Sequence, residues 1–474
     1  MSDVIETDIC VIGGGSGGLS VAAAAAAFGV PTVLVERAKM GGDCLNYGCV
    51  PSKALLAAGK RAQHMRTAAA FGVADADPQV NFGRVNDHVQ GVIAAIAPND
   101  SVERFTGLGV RVIKAEARFT GRDTIDAGGQ TVRARRFVIA TGSSAAVPPI
   151  PGLDTVPHFT NETIFELRRR PSRLIIIGGG PIGMEMAQAF RRLGAEVTVL
   201  EMFEPLAKDD PEATAVVLRA LGEEGVAIRA GVRILRVEKR KGGVRVVVRD
   251  GEREENVDGS DLLVAAGRSP NVGWLDLDRA GVDFDKKGIK VGKGLKTTNR
   301  RIYAIGDCAG GLQFTHVANY HAGLVVRNAL FRLPVRVETA HIPWVTYTDP
   351  ELAHVGMDEK TAHEKVKGFR VLRWPYHEND RAQAERETRG FIKVITDRKG
   401  RILGATIVGA GAGEIVNMWS LAIARRMKIS AFTGYVSPYP TLSEIGKRAA
   451  IEFYRPSLSS RWLRRIIEFL RVFG

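Results

Sequence analysis

The chain has 474 residues, with 66 Lys and Arg against 52 Asp and Glu, a formal net charge of +14, and 45% hydrophobic and 25% charged residues. That length suits two or three domains with a full core, and the mixture is that of an ordinary globular protein. Four cysteines exclude a disulfide scaffold and make a reducing cytoplasm the expected compartment, no apolar run is long enough to cross a bilayer, and an aromatic share of 7% without a nucleic-acid motif argues against nucleic acid as the partner of the basic surface.

The acidic start, Met1 to Asp8, runs straight into an apolar strand, which is not the pattern of a secretory signal. Ile9 to Ile12 reads as a buried strand. Gly13, Gly15 and Gly18 follow as a G-x-G-x-x-G, then an Ala-rich helix that Gly29 and Pro31 end, then a strand from Thr32 to Val35 that stops at Glu36. This order is a dinucleotide fingerprint. Glycines let the backbone approach a pyrophosphate, the helix N-terminus faces its charge, and the acid takes ribose hydroxyls.

Residues 41 to 53 come next and are the most informative of the chain. They include Gly42, Asp43, Cys44, Cys49 and Lys53. Two thiols at this spacing can close a small ring and reopen it on accepting two electrons. The helix-forming run from Ser52 to Ala62 can lower a nearby thiol's pKa through its N-terminal dipole. A zinc site needs about four ligands, and only Cys10 and Cys308 remain, both in other nucleotide-binding segments. A redox pair is therefore expected, and no metal site.

After Ala140-Thr141-Gly142 the fingerprint returns. Arg173 to Ile177 reads as a strand, and Gly178, Gly180 and Gly183 form the second loop. A helix runs to about Arg192, and the strand from Glu196 to Leu200 stops at Glu201. Two complete units imply two dinucleotides. Glu201 accepts hydrogen bonds from free ribose hydroxyls and repels a 2′-phosphate, and Met202 to Ala207 contains no Arg or Lys, so NADH is expected over NADPH.

These motifs, with Gly267 in Ala265 to Asn271, Asp307 in Ala304 to Asp307, and the segment Tyr439 to Glu444, make the chain resemble the flavin-dependent pyridine nucleotide-disulfide oxidoreductases from about residue 6 to residue 453. The resemblance implies an α/β fold, with two Rossmann-like domains that bind FAD and NAD plus an α+β C-terminal dimerisation domain. The FAD-binding domain would be residues 1–150 with 270–335, the NAD-binding domain 151–269, and the dimerisation domain 340–455. It further implies FAD on the first unit, NAD(H) on the second and a homodimer. Asp307 would hold the flavin's ribityl chain, Lys53 and Glu185 would form a pair near the flavin, and Thr141, Gly142 and Gly267 would lie in the cofactor-binding segments. Hydride would pass from NADH through FAD to a Cys44–Cys49 disulfide, with Cys49 on the flavin side and Cys44 as the exchange thiol. Glu444 would reach the partner subunit's thiols.

The sequence also departs from the family. Thiol-specific members carry His where this chain has Tyr439, and no His lies beyond His377. A His titrates near ~6.5 and a Tyr near ~10, so tyrosine is a poor base for a dithiol proton. Tyr439 is similar to mercuric reductases, yet this sequence has no Cys after Cys308 to relay metal. Asp43 stands where relatives carry Thr; it either raises the Cys44 pKa or points to solvent. The expected activity is an NADH-driven flavin disulfide reductase passing electrons to a metal ion, a quinone or a disulfide. Two alternatives stay open, a dihydrolipoamide dehydrogenase of low activity and a non-catalytic NAD(H)-binding flavoprotein sensor.

From His341 the chain reads as an antiparallel sheet with strands at 342–347, 369–374, 391–396 and 402–408, then helices at 413–426 and 443–453. Residues 456–474 form a basic amphipathic helix, with Trp462, Leu463, Ile466, Ile467, Leu470 and Phe473 on one side and arginines around it. Such a helix either touches an anionic membrane, at the inner face of which the protein would then be peripheral, or packs on protein.

Overall fold

A computed structural model describes residues 4–474. Met1, Ser2 and Asp3, which begin both the predicted FAD-binding domain and the stretch read as no export signal, lie outside the described residues. The chain forms two compact units, one of residues up to 203 with 226–337, the other of 204–225 with 338–474.

The first unit is built on the strand Ile5–Ile12. Its apolar run has no polar face because the strand lies in the middle of a sheet covered on both sides. Ile9 and Val11 point into one core with Leu19, Val21 and Val325, while Cys10 and Ile12 point into the other with Phe119, Ile125 and Phe137. The sheet runs in the order Val110–Ile113, Thr32–Val35, Ile5–Ile12, Gln130–Ile139, Thr124–Ala127, Ala117–Phe119, and Ile302–Ala304 adds in parallel to Gln130–Ile139. The chain thus leaves this sheet near residue 140 and comes back to it more than a hundred residues later. In between, a second parallel sheet orders Ala227–Arg229, Glu196–Leu200, Arg173–Ile177 and Asp261–Val264. A three-stranded antiparallel sheet over 233–259 accompanies it.

The second unit is a five-stranded antiparallel sheet in the order Pro343–Thr346, Glu351–Gly356, Ile402–Gly409, Phe391–Thr396, Arg370–Pro375. Four of these strands match expectation within two residues. Glu351–Gly356 was not expected: it holds a His mid-run and follows a Pro turn, yet Leu352 to Val355 are all buried. Helices Ala412–Ala424 and Glu444–Glu452 cover the sheet. Trp419 is fully buried and stacks on Phe432 with ring centroids 4.0 Å apart. The helix Pro211–Glu223 also belongs to this unit. Its cap Asp210 accepts from the Glu212 and Ala213 amides and binds the buried Lys393 ammonium at 2.8 Å.

Candidate active site

The two glycine loops of the first unit have the same geometry. Gly13 and Gly178 adopt φ of +112° and +113°, and a Cβ on either would sit 2.4 Å from a carbonyl oxygen, of Ala140 or of Ala265. A Cβ on Gly18 or Gly183 would fall 1.9 or 2.0 Å from the Gly13 or Gly178 oxygen. These glycines are required by the turn itself. Gly15 and Gly180 are not: a Cβ on Gly15 meets nothing closer than 3.8 Å, and one on Gly180 nothing within 4 Å. Both cap helices, Ser16–Ala27 and Pro181–Arg192, that have no side-chain cap. Open approach to an uncapped helix N-terminus is what a pyrophosphate needs, and the residues present fit a dinucleotide at each loop.

The acids close the two loops alike. Glu36 accepts from the Gly14 and Ala38 amides, each at 2.5 Å. Glu201 accepts from Gly179 at 2.6 Å and Phe203 at 2.8 Å. Arg229, on the strand beside Glu201, is a cation that sequence reasoning did not weigh. Its guanidinium is taken up by Asp250 at 3.1 Å and Glu255 at 2.8 Å.

Cys44 sits on a short helix, Gly42–Asn46, and Cys49 is the first residue of the helix Cys49–Arg66. That helix begins three residues earlier than the run from Ser52, because Pro51 in its first turn needs no donor. The dipole therefore acts on Cys49 directly. Gly42, at φ +60°, backs onto the first loop, where a Cβ would lie 2.7 Å from Gly15 Cα. The redox segment and the first glycine loop are thereby locked together.

The two thiols titrate as a tightly linked pair, and they differ sharply. Cys49 is lowered to about 6, first by the bond from Cys44, then by Thr315 and the Lys53 charge, against burial. Cys44 is pushed far up by the same bond, by burial and by the Cys49 charge. The reduced pair thus favours sharing a single proton, with Thr315 and the Lys53 charge favouring the thiolate at Cys49. Thr315 Oγ1 lies 3.4 Å from Cys49 Sγ, at the first position of the helix Thr315–Phe331; nothing in its sequence context had marked it. Lys53 binds Glu185 Oε2 at 2.7 Å, and Glu185 is 5% exposed.

A polar chain lies behind the pair. Asp307 Oδ2 accepts from Ser143 Oγ at 2.5 Å, and burial raises its carboxyl above the usual range. Arg268 donates to Ser143 Oγ and to the Ser143 carbonyl, both at 2.7 Å, and pairs with Asp43 at 3.1 Å. Asp43 also accepts from Asn161 Nδ2 at 3.1 Å. It is therefore held by protein rather than turned to solvent, and its charge raises both thiols only as the last of several causes. Thr141 and Asn271 exchange side-chain and carbonyl bonds at 2.6 and 3.2 Å, and Ala146 donates to the Gly267 carbonyl at 2.9 Å, so the two Gly-containing segments carrying Gly142 and Gly267 are tied together. Arg268 and Asn271 were legible as part of a motif but not as its working groups.

Tyr439 and Glu444 belong to the second unit. Tyr439 is exposed and donates to Asp380 Oδ2 at 2.9 Å. Glu444 opens the helix Glu444–Glu452 and pairs with Arg448 at 3.2 Å.

Residues 7–322 match the family described as pyridine nucleotide-disulphide oxidoreductase, and residues 342–450 match its dimerisation domain. Mercuric reductase of Bacillus cereus is 35% identical over 451 residues, covering 94% of this chain and 72% of that protein. Dihydrolipoyl dehydrogenase of Thermus scotoductus is 34% identical over 469 residues, 95% of this chain and 98% of that one. Among solved structures, LpdA from Mycobacterium tuberculosis superposes with a TM-score of 0.87 at 26% identity, covering 94% and 99% of the two chains. The HOCl-induced flavoprotein disulfide reductase RclA from Escherichia coli, solved also as a Cu(II) complex, superposes with a TM-score of 0.84 at 27% identity, with the same coverage.

Proposed function

The chain belongs to the pyridine nucleotide-disulphide oxidoreductases, FAD-dependent enzymes that use NAD(P)H and dimerise through the C-terminal domain, and from that premise we propose that it is an NADH-driven reductase whose Cys44–Cys49 pair hands electrons to a soft metal ion. Bound FAD and NADH supply the two electrons that open the sulfur–sulfur bond. The chain's residues do the rest. Gly15 and Gly180 admit the pyrophosphates, and Glu36 and Glu201 take the ribose hydroxyls. Asp307 would hold the flavin's polyol chain, and Lys53, anchored by Glu185 at 2.7 Å, would supply a cation to bound flavin. Cys49, the more acidic thiol, takes the flavin side. Cys44 keeps its proton and takes the acceptor side.

The observation that carries the metal reading is the phenol at 439, held protonated by Asp380. A dithiol product has to gain and lose protons through a nearby base, and this chain offers a tyrosine there. A soft cation needs no such base, because a metal beside a thiol lowers the thiol's pKa and displaces its proton. The likeness to mercuric reductases and to a reductase crystallised with Cu(II) supports the same class of acceptor. The carboxylate at 201, with Arg229 already occupied, supports NADH over NADPH. A cytoplasmic site of action accords with a supply of NADH.

A second reading, a dihydrolipoamide dehydrogenase of low activity, draws on the near-complete coverage of dihydrolipoyl dehydrogenases at 34% identity. An NADH-oxidation screen of the flavin-loaded protein separates the two. Cu(II), Hg(II), quinones, lipoamide, glutathione disulfide and oxygen are compared, with Cys44→Ser as control. The metal reading expects the highest kcat/KM with a soft cation and its loss in Cys44→Ser. A highest value with lipoamide, or metal-linked oxidation that survives Cys44→Ser, overturns it.

A further inference from the structure

The helix Arg461–Leu470 is folded by its own sequence and not by the core. Ser460 Oγ caps it, accepting from the Leu463 amide at 3.4 Å. It has no buried residue, whereas every other α-helix of eight or more residues among the described residues buries a face. Trp462 is 69% exposed, Phe469 62% and Leu470 56%.

Its two sides are cleanly divided. At the helical repeat, Trp462, Leu463, Ile466, Ile467, Phe469 and Leu470 share one arc, and Arg461, Arg464, Arg465, Glu468 and Arg471 share the opposite one. From Arg455 to the last residue the chain carries five Arg and one Glu. Ten residues of helix span about 15 Å, half of a bilayer's hydrocarbon core, so the element cannot cross.

We propose that this helix docks the enzyme on an anionic lipid surface, lying in the plane with its apolar arc inserted and its arginines at the headgroup phosphates. Charge complementarity chooses this occupant. Two copies of the helix meeting face to face would bring their arginine rows together along both edges of the seam, which repels. A phosphate-bearing surface satisfies the same arginines, and a Trp at one end suits the apolar–polar boundary.

The test is co-sedimentation of the flavin-loaded, full-length protein with vesicles of phosphatidylcholine alone or with added phosphatidylglycerol. Binding is expected only to the anionic vesicles, falling as salt rises. Ile466→Glu with Leu470→Glu, and separately Arg464→Glu with Arg465→Glu, should each weaken it by about tenfold or more. The flavin spectrum and turnover without vesicles, which these positions do not touch, should stay unchanged and certify folding. Failure of the wild type to bind anionic vesicles overturns the proposal, as do equal binding by either variant and equal binding to neutral vesicles. A smaller mass for Ile466→Glu/Leu470→Glu by light scattering, with no vesicle binding by the wild type, would assign the face to another copy of the chain.

Discussion

Tyr439 donates its phenolic hydrogen to Asp380 Oδ2 across 2.9 Å. The bond and the Asp380 charge raise the phenol's pKa above its ordinary value, with the Glu444 charge adding to them. A tyrosine that is already too weak a base at pH 7 is thus held further from ionising. The same contact gives Asp380 a donor that a histidine would supply differently, as an imidazole able to titrate near neutrality.

Tyr439→His should therefore raise NAD reduction by dihydrolipoamide, by about tenfold or more on the scale of general acid–base catalysis. Tyr439→Phe removes the hydroxyl without adding a base and should leave Cu(II)- or Hg(II)-linked NADH oxidation within about twofold. Steady-state rates with both acceptors measure this. A collapse of metal-linked turnover in Tyr439→Phe would show the phenol to be a working group there.

Glu201 is bonded to the second loop by the Gly179 and Phe203 amides, so its carboxylate is fixed, and on the proposed reading it would face the ribose of the nicotinamide cofactor. Like-charge contact at a fixed distance costs several kcal/mol. The wild type should favour NADH over NADPH by about tenfold or more in kcat/KM, and Glu201→Arg should invert the order. Equal use of both cofactors by the wild type would contradict this.

Cys49 ionises near pH 6 because its thiolate accepts from Cys44 and Thr315 and faces Lys53. The sign is that of an acid with a lowered pKa: the charged, nucleophilic form predominates at pH 7 and is lost as pH falls through about 6. In the reduced protein, thiolate absorbance at 240 nm, taken as a difference from Cys49→Ser, should rise with an inflection near that pH. Asp43→Thr removes a charge that raises both thiols and should move the inflection lower. An inflection near the ordinary thiol value of about 8.5 would show that the Cys44 bond does not operate.

Much of this site could be read from the residues because its parts are backbone requirements. A positive φ at Gly13 and Gly178, and the need for open space at Gly15 and Gly180, leave glycine as the signature of the loops. The cysteines were marked by their spacing and the two acids by their place at the strand ends, whereas Lys53 took its role only from family likeness. Glu185 was reached through family likeness, since the spacing from Lys53 reveals nothing of a contact across 132 positions. Thr315, Asn161 and Arg268 reach the redox segment from distant parts of the chain, and a lone hydroxyl, amide or guanidinium has no periodic signature. The strand Glu351–Gly356 escaped for another reason. It is buried on both faces, so His354 hides in the sheet beside Thr406 at 2.8 Å and breaks the apolar run that would have announced it.

The Lys53–Glu185 pair allows a test that separates folding from turnover. Glu185 is 5% exposed, while the Lys53 side chain is 38% exposed, so the pair's worth lies mainly on the carboxylate side. Lys53→Met takes the ammonium from a buried anion, whereas Glu185→Gln keeps a polar group of the same shape and leaves the cation with Ser52 and water. Removing one partner of a fully buried pair costs about 3–5 kcal/mol. Solvent access to Lys53 reduces this to about 2 kcal/mol for Lys53→Met and to less for Glu185→Gln. The thermal midpoint of the flavin-loaded protein should fall further in Lys53→Met than in Glu185→Gln, and the double variant should recover part of the loss. Turnover should fall in both single variants, because either change disturbs the cation beside the reacting centre. If Glu185→Gln proved the less stable of the two, the carboxylate would stabilise the fold through more than its pair with Lys53, and the ion pair would not explain the loss.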